Sequence, residues 1–244
     1  MAHDLSRPSF YALASGGWRD YVTLLHPPYT AWHLSFVVIG ATLTPAFSLS
    51  RLLPTLAAFF LAVGVGAHAL DELQGRPLKT DISDAVLITL AATSLMLAIG
   101  IGAAGAAFVD PWIAAFVVAG SFLVVAYSLE PFAGRFHTDY WFAIAWGSFP
   151  VLTGFFAAAG TVSLAALLGT VFAFTLSLAQ RHLSTRVRHV RRRVAHVSGT
   201  ITRHDGFVEP IKTPDLIKAD ELALRALTFA TVALAAALLA MRVT

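Results

Sequence analysis

Three side chains able to do chemistry arrive together at the end of one apolar run. The stretch from Leu52 to Leu70 contains no Asp, Glu, Lys or Arg; His68 lies in its last turn, and Asp71 and Glu72 follow at once. If a helix continues through them, His68 is three residues from Asp71 and four from Glu72, spacings that put groups on one helix face. An ionisable group inside a bilayer costs about 2.5–3.5 kcal/mol on insertion scales, so such groups usually face a polar cavity. A His with two carboxylates points to a cation site, or to an anion held through a metal. The plainer alternative ends the helix at Ala69 and leaves both carboxylates in solvent. Arg76 follows in Gly75-Arg76-Pro77 and adds a countercharge. His33 sits just inside the preceding apolar segment at matching depth, where it would share a site with His68, whereas His26 reads as a loop residue.

Two further polar exits belong to the same argument. Tyr127, Glu130, Arg135 and His137 follow another apolar run. Arginine forks onto phosphate oxygens, so Tyr127 and Arg135 beside a carboxylate would suit a diphosphate; the alternative is an interfacial Glu130–Arg135 pair. In Gln180-Arg181-His182-Leu183-Ser184-Thr185, residues 180, 181 and 184 or 185 recur at helical spacing, and Arg181 would reach the same cavity. The run from Arg188 to Arg193 reads instead as a topogenic surface facing anionic lipid.

Composition says what must position these groups. Of 244 residues, 57% are hydrophobic and 13% charged, against about 25% charged in soluble domains; the mean hydropathy is +0.72. Apolar runs approach the roughly 20 residues that cross a hydrocarbon core, without the short alternating segments of a β-barrel. The expectation is an all-α, polytopic transmembrane bundle with spans near 31–49, 52–70, 85–108, 111–129, 139–159, 162–179 and 222–241, seven in all. Residues 1–25 would be a cytosolic or interfacial lead-in with Phe10, Tyr11, Trp18 and Tyr21 at headgroup depth. Pro27 and Pro28 would delay the first helix, and 181–220 would form a basic cytosolic segment between the last two spans, a helix extension followed by a loop, within a single membrane domain covering 1–244. Trp18, Trp32, Trp112 and Trp141 would form an aromatic belt. Glycines 64, 66, 100, 102, 147 and 154 would let helices approach closely. Lys and Arg crowd the loops on one side, which predicts an inner-membrane protein with its N-terminus cytosolic. The net charge of +3 sits mostly near 181–193 and therefore reads as topology, with no nucleic-acid partner implied. Without cysteine there is no thiolate chemistry.

At these residues the chain resembles the UbiA-type membrane prenyltransferase superfamily. Gly75-Arg76-Pro77-Leu78-Lys79-Thr80 after a polar helix exit, then Ile82-Ser83-Asp84-Ala85, Ala126-Tyr127-Ser128, Trp146-Gly147-Ser148 and Gly154 carry the likeness over roughly residues 25–185. The resemblance implies a helical fold, an isoprenoid diphosphate and Mg²⁺ held by two aspartate-rich motifs. Here His68 and Ala69 stand where that family has Asn and Asp. The second acidic motif is replaced by Gln180 through Arg186, and the helix set is two short. The expected function is prenyl transfer from an isoprenoid diphosphate to a small or lipid acceptor. Asp71 and Glu72 would bind Mg²⁺, Arg76, Tyr127, Arg135 and Arg181 would hold the diphosphate, and His68 would orient the carboxylates or act as base. A second reading is a lipid-directed oxidoreductase or hydrolase using Fe, Mn or Zn on His33, His68, His182 and a carboxylate, since imidazole suits such metals. A third is a non-catalytic lipid- or quinone-binding protein.

Overall fold

The computed structural model describes residues 7–244 as a helical bundle. Its helices are α1 (Trp18–Leu24), α2 (Pro27–Thr42), α3 (Leu49–Leu73), α4 (Asp84–Phe108), α5 (Ile113–Ser128), α6 (Asp139–Ala159), α7 (Leu164–Arg193) and α8 (Lys218–Val243). Five of them, α3, α4, α6, α7 and α8, are long and apolar enough to cross a membrane. The seven expected spans correspond to α2–α8, but α2 and α5 have only 16 residues each, short of the roughly 20 a full span needs.

Local sequence sets most of the boundaries. Pro27 and Pro28 do not delay α2; they open it at its first positions, where a missing N–H costs nothing. Thr138 accepts from Trp141 N–H to start α6, and Ser163 accepts from Ala166 N–H to start α7. Gly160, at φ 66°, ends α6 in the left-handed conformation.

α2 forms the centre, with Trp32, Phe36 and Val37 fully buried between α6 and α8. A side chain on Gly40 would drive into the Val151 carbonyl, and one on Gly154 into the Val37 carbonyl, so α2 and α6 cross with backbones in contact. Gly147 does the same against Ser177 and Ala173 of α7, whereas Gly100 faces open space. Trp18 and Trp112 are exposed as a belt requires; Trp32 instead lies in the core, its indole N–H aimed at Ser177 Oγ.

Two segments lack α geometry. Phe60–Ala67 within α3 and Ile144–Ser148 within α6 are π-helical, a wide-turn geometry that is frequent at functional sites. Residues 181–220 begin with the basic helix extension that the sequence suggests. α7 continues to Arg193, and β1 (Thr200–Thr202) then pairs antiparallel with β2 (Val208–Pro210). The helical extension is pinned to α8 by Arg191 Nε donating to Glu221 Oε1 at 2.5 Å, both side chains buried.

Candidate polar site beside an apolar cavity

α3 does run through His68, Asp71 and Glu72, but the three side chains part company. Glu72 is fully buried and accepts from Leu78 N–H, Thr80 N–H and the Thr80 hydroxyl, each at 2.9 Å. Its carboxylate ties the Gly75–Thr80 turn to the helix end. Arg76, at φ 54°, closes the same turn by donating to Ile82 O and pairing with Asp84. Both were expected to hold ligand; both are committed to the turn. The motif that carries the family resemblance is thus a structural knot here.

His68 turns the other way. Its Nδ1 lies 3.1 Å from Gly64 O, and its ring stacks on His26 at 4.1 Å. His33 Nδ1 lies 2.8 Å from Trp146 O. A carbonyl can only accept, so each Nδ1 carries the proton and each Nε2 is left as a base. Both carbonyls belong to the π-helical segments, whose loosened ladder exposes an oxygen to a side chain.

Asp71 faces a third direction, toward buried Ser128, which makes no close hydrogen bond to it, and within electrostatic range of His137, Arg181 and Arg188. Tyr127 is buried with an unpartnered hydroxyl near Arg181, Asp71 and Arg188. Its ring stacks on His137 at 4.4 Å and meets Trp146 edge-on at 5.7 Å. Arg181 lies over the Phe142 ring at 5.1 Å and donates to Asp139 at 3.0 Å.

Asp71, Tyr127, Arg181, His68 and His33 therefore all lie toward one end of the bundle. Arg135 is exposed, and Glu130 pairs with His137 at 3.1 Å rather than with Arg135. His182 is 66% exposed beside Asp139, away from His33 and His68. Among the described residues no three His, Asp or Glu side chains are grouped to hold a metal ion. The donor set does not fit Mg²⁺ on Asp71 and Glu72, because both Glu72 oxygens already serve the turn. Nor does His182 reach the other imidazoles to complete a transition-metal site.

Two contributors were missing from the expected site. The segment from Arg7 to Gly16 crosses this end of the bundle. Arg191 and Arg192 donate to the carbonyls of Arg7 and Pro8, Arg225 covers the Phe10 ring, and Asp20 joins Gly16 N–H to Asp81 N–H. Tyr11, expected at headgroup depth, folds inward to a 2.7 Å contact with His26 Nδ1. Burial holds the Tyr11 phenol above its ordinary range, so it stays the donor and His26 Nδ1 the acceptor. Burial first, then His68, Arg192 and Arg188, holds His26 well below the usual histidine range. The second contributor is Arg188, which turns toward Tyr29, Tyr127 and Arg181 instead of facing lipid. Its position seven residues after Arg181 was the available signal.

Below this cluster lies an apolar cavity of about 420 Å³ between α3, α4, α5 and α6. Val63, Leu95 and Trp146 line it near the cluster, and Arg51 and Phe108 line it at the opposite end of the bundle. Leu95 to Phe108 is thirteen residues of α4, roughly 20 Å at helical rise. Trp146 belongs to both regions, lining the cavity while its carbonyl holds His33 and its ring touches Tyr127. Comparison with known proteins found no matching family model, no matching curated protein and no matching solved structure.

Proposed function

We propose that this chain is a UbiA-like membrane enzyme that takes an isoprenoid diphosphate and transfers its prenyl chain to a small or lipid acceptor. One observation carries the reading: a cationic, tyrosine-bearing polar cluster and a membrane-depth apolar cavity meet at Trp146. A ligand with an anionic head and a long apolar chain satisfies both at once. The head would lie among Arg181, Arg188, Tyr127 and Tyr29, and the chain would run down the cavity.

In the transfer the bond between the allylic carbon and the diphosphate oxygen breaks, its electron pair leaving with the diphosphate. Guanidinium groups and the Tyr127 hydroxyl stabilise that developing charge. The allylic cation is left beside the π faces of Trp146, Tyr127 and Phe142. The acceptor's nucleophilic atom bonds to the carbon and gives up its proton, for which His68 Nε2 is an available base. No step draws on Glu72 or Arg76, whose polar atoms hold the turn.

The test is ligand-dependent thermal stabilisation of the detergent-purified protein. Geranylgeranyl diphosphate should raise the unfolding temperature more than geranylgeraniol or inorganic pyrophosphate alone, because only the diphosphate ester fills both regions. Equal stabilisation by geranylgeraniol would leave the cavity as a lipid site and refute the head-group assignment.

A further inference from the structure

The geometry points to an anion site built by α7, in which Arg188, with Arg181 and Arg192, does the charge neutralisation that a divalent metal would otherwise do. This rests on the isoprenoid-diphosphate reading and says how its head is held.

Arg181, Arg188 and Arg192 are seven and four residues apart, so they share one face of a single helix. The buried side chains Gln180, Ser184 and Val187 show that this stretch is packed against the bundle. Arg181 is spent in part on Asp139. Arg188 donates to the hydroxyls of Ser184 at 3.3 Å and Thr185 at 3.0 Å, and Arg192 to the Pro8 carbonyl at 3.4 Å. Among the described residues neither of these two guanidinium groups pairs with a carboxylate. Arg188 lies within electrostatic range of Arg181, Arg192, Tyr29, Tyr127 and Asp71, which makes it the hub of the cluster.

Arg188 is half-buried and Arg192 exposed; like charges set on one helix face repel one another, and an anion held between them relieves that repulsion. Asp71, Glu72 and Asp139 match the three arginines in number, but only Asp139 forms a close ion pair with one of them: Glu72 gives its oxygens to the turn, and Asp71 acts on Arg181 and Arg188 only at longer range. One further donor waits for a partner: the Tyr127 hydroxyl, in a side chain only 5% exposed. A diphosphate would accept from Arg188, Arg192 and the Tyr127 hydroxyl together, with guanidinium forks suited to its oxygens.

Binding of geranylgeranyl diphosphate to the full chain, measured with EDTA and with Mg²⁺, tests the assignment. Wild type should bind equally in both. Arg188→Gln should weaken binding about tenfold or more, the order expected for one charge-assisted hydrogen bond. Arg188→Lys should recover part of that, and Arg193→Gln, on the exposed face, should bind as wild type. Inorganic pyrophosphate should compete without added metal. Should Arg188→Gln prove poorly folded, Tyr127→Phe, which removes a single unpartnered hydroxyl, should still weaken binding in EDTA. Mg²⁺-dependent binding unaffected by Arg188→Gln would overturn the arginine site while leaving the isoprenoid reading in place. No binding by wild type in either buffer would overturn both.

Discussion

The assignment of Glu72 to the turn rather than to a metal can be tested on the turn itself. In Glu72→Gln one carboxylate oxygen becomes an NH₂ facing the N–H of Leu78 or of Thr80. Hydrogen bonds to a charged group contribute about 1.5–3 kcal/mol each, and a buried unsatisfied donor costs about 1–3 kcal/mol. Because the three bonds share one carboxylate they do not add, and a loss of about 3 kcal/mol for local opening is the expectation. At 1.4 kcal/mol per factor of ten, opening becomes roughly a hundredfold more populated. Lys79 is exposed in this turn, while Arg76 precedes proline and is a poor tryptic site, so trypsin reports opening at one position. When reclosing is fast relative to cleavage, the cleavage rate follows the open population. Glu72→Gln should therefore be cut after Lys79 about a hundredfold faster, with and without Mg²⁺. A rate within twofold of wild type, together with lost Mg²⁺-dependent activity, would refute the reasoning and return Glu72 to the chemistry.

Other consequences are as direct. His26 is held below the ordinary histidine range, so the unfolded chain takes up a proton that the folded chain refuses. Stability contributed by neutral His26 should be complete above about pH 6.5 and fall as the pH drops below it, by up to about 1.4 kcal/mol per pH unit; thermal melts from pH 7.5 to 5.5 should show the decline, and His26→Gln should flatten it. Ala98 lines the cavity midway along α4. Ala98→Trp should shift binding preference from geranylgeranyl to geranyl diphosphate, and an unchanged preference would place the chain elsewhere. Gly154→Leu should abolish folded protein by forcing α2 from α6, by several kcal/mol or more, as judged by monodispersity in detergent.

The helices were legible because their apolar runs are long and bounded by Asp, Ser, Pro or Gly; Asp84, Ser163 and Gly160 mark ends the eye can find. The grouping of Tyr127, Asp71 and Arg181 was legible because each ends an apolar run on the same side. What residue spacing did not carry was direction. Counting at 3.6 residues per turn sets His68, Asp71 and Glu72 on one face, but the turn at 75–80 draws Glu72 away while Gly64 O and His26 hold the His68 ring. Arg188 was misread because a dense Lys/Arg run is usually a surface, although its offset from Arg181 already placed both on one face. The segment from Arg7 to Gly16 has no periodicity to read. Its position depends on backbone carbonyls meeting Arg191 and Arg192, groups far away in sequence.

The π-helical turns at Phe60–Ala67 and Ile144–Ser148 give the two imidazoles a common dependence on residue number rather than residue type. A π turn is a helix holding one residue more than its α path requires. Removing one residue from Phe60–Ala67 would close the helix to α geometry with Leu49–Phe59 and His68–Leu73 still in place, and the ladder would reclaim the Gly64 carbonyl that holds the His68 ring. A deletion within Ile144–Ser148 would do the same to the Trp146 carbonyl that holds His33. Each imidazole would lose its orienting acceptor without itself having been mutated, so single-residue deletions in these two stretches should disturb both histidines although every polar side chain is kept.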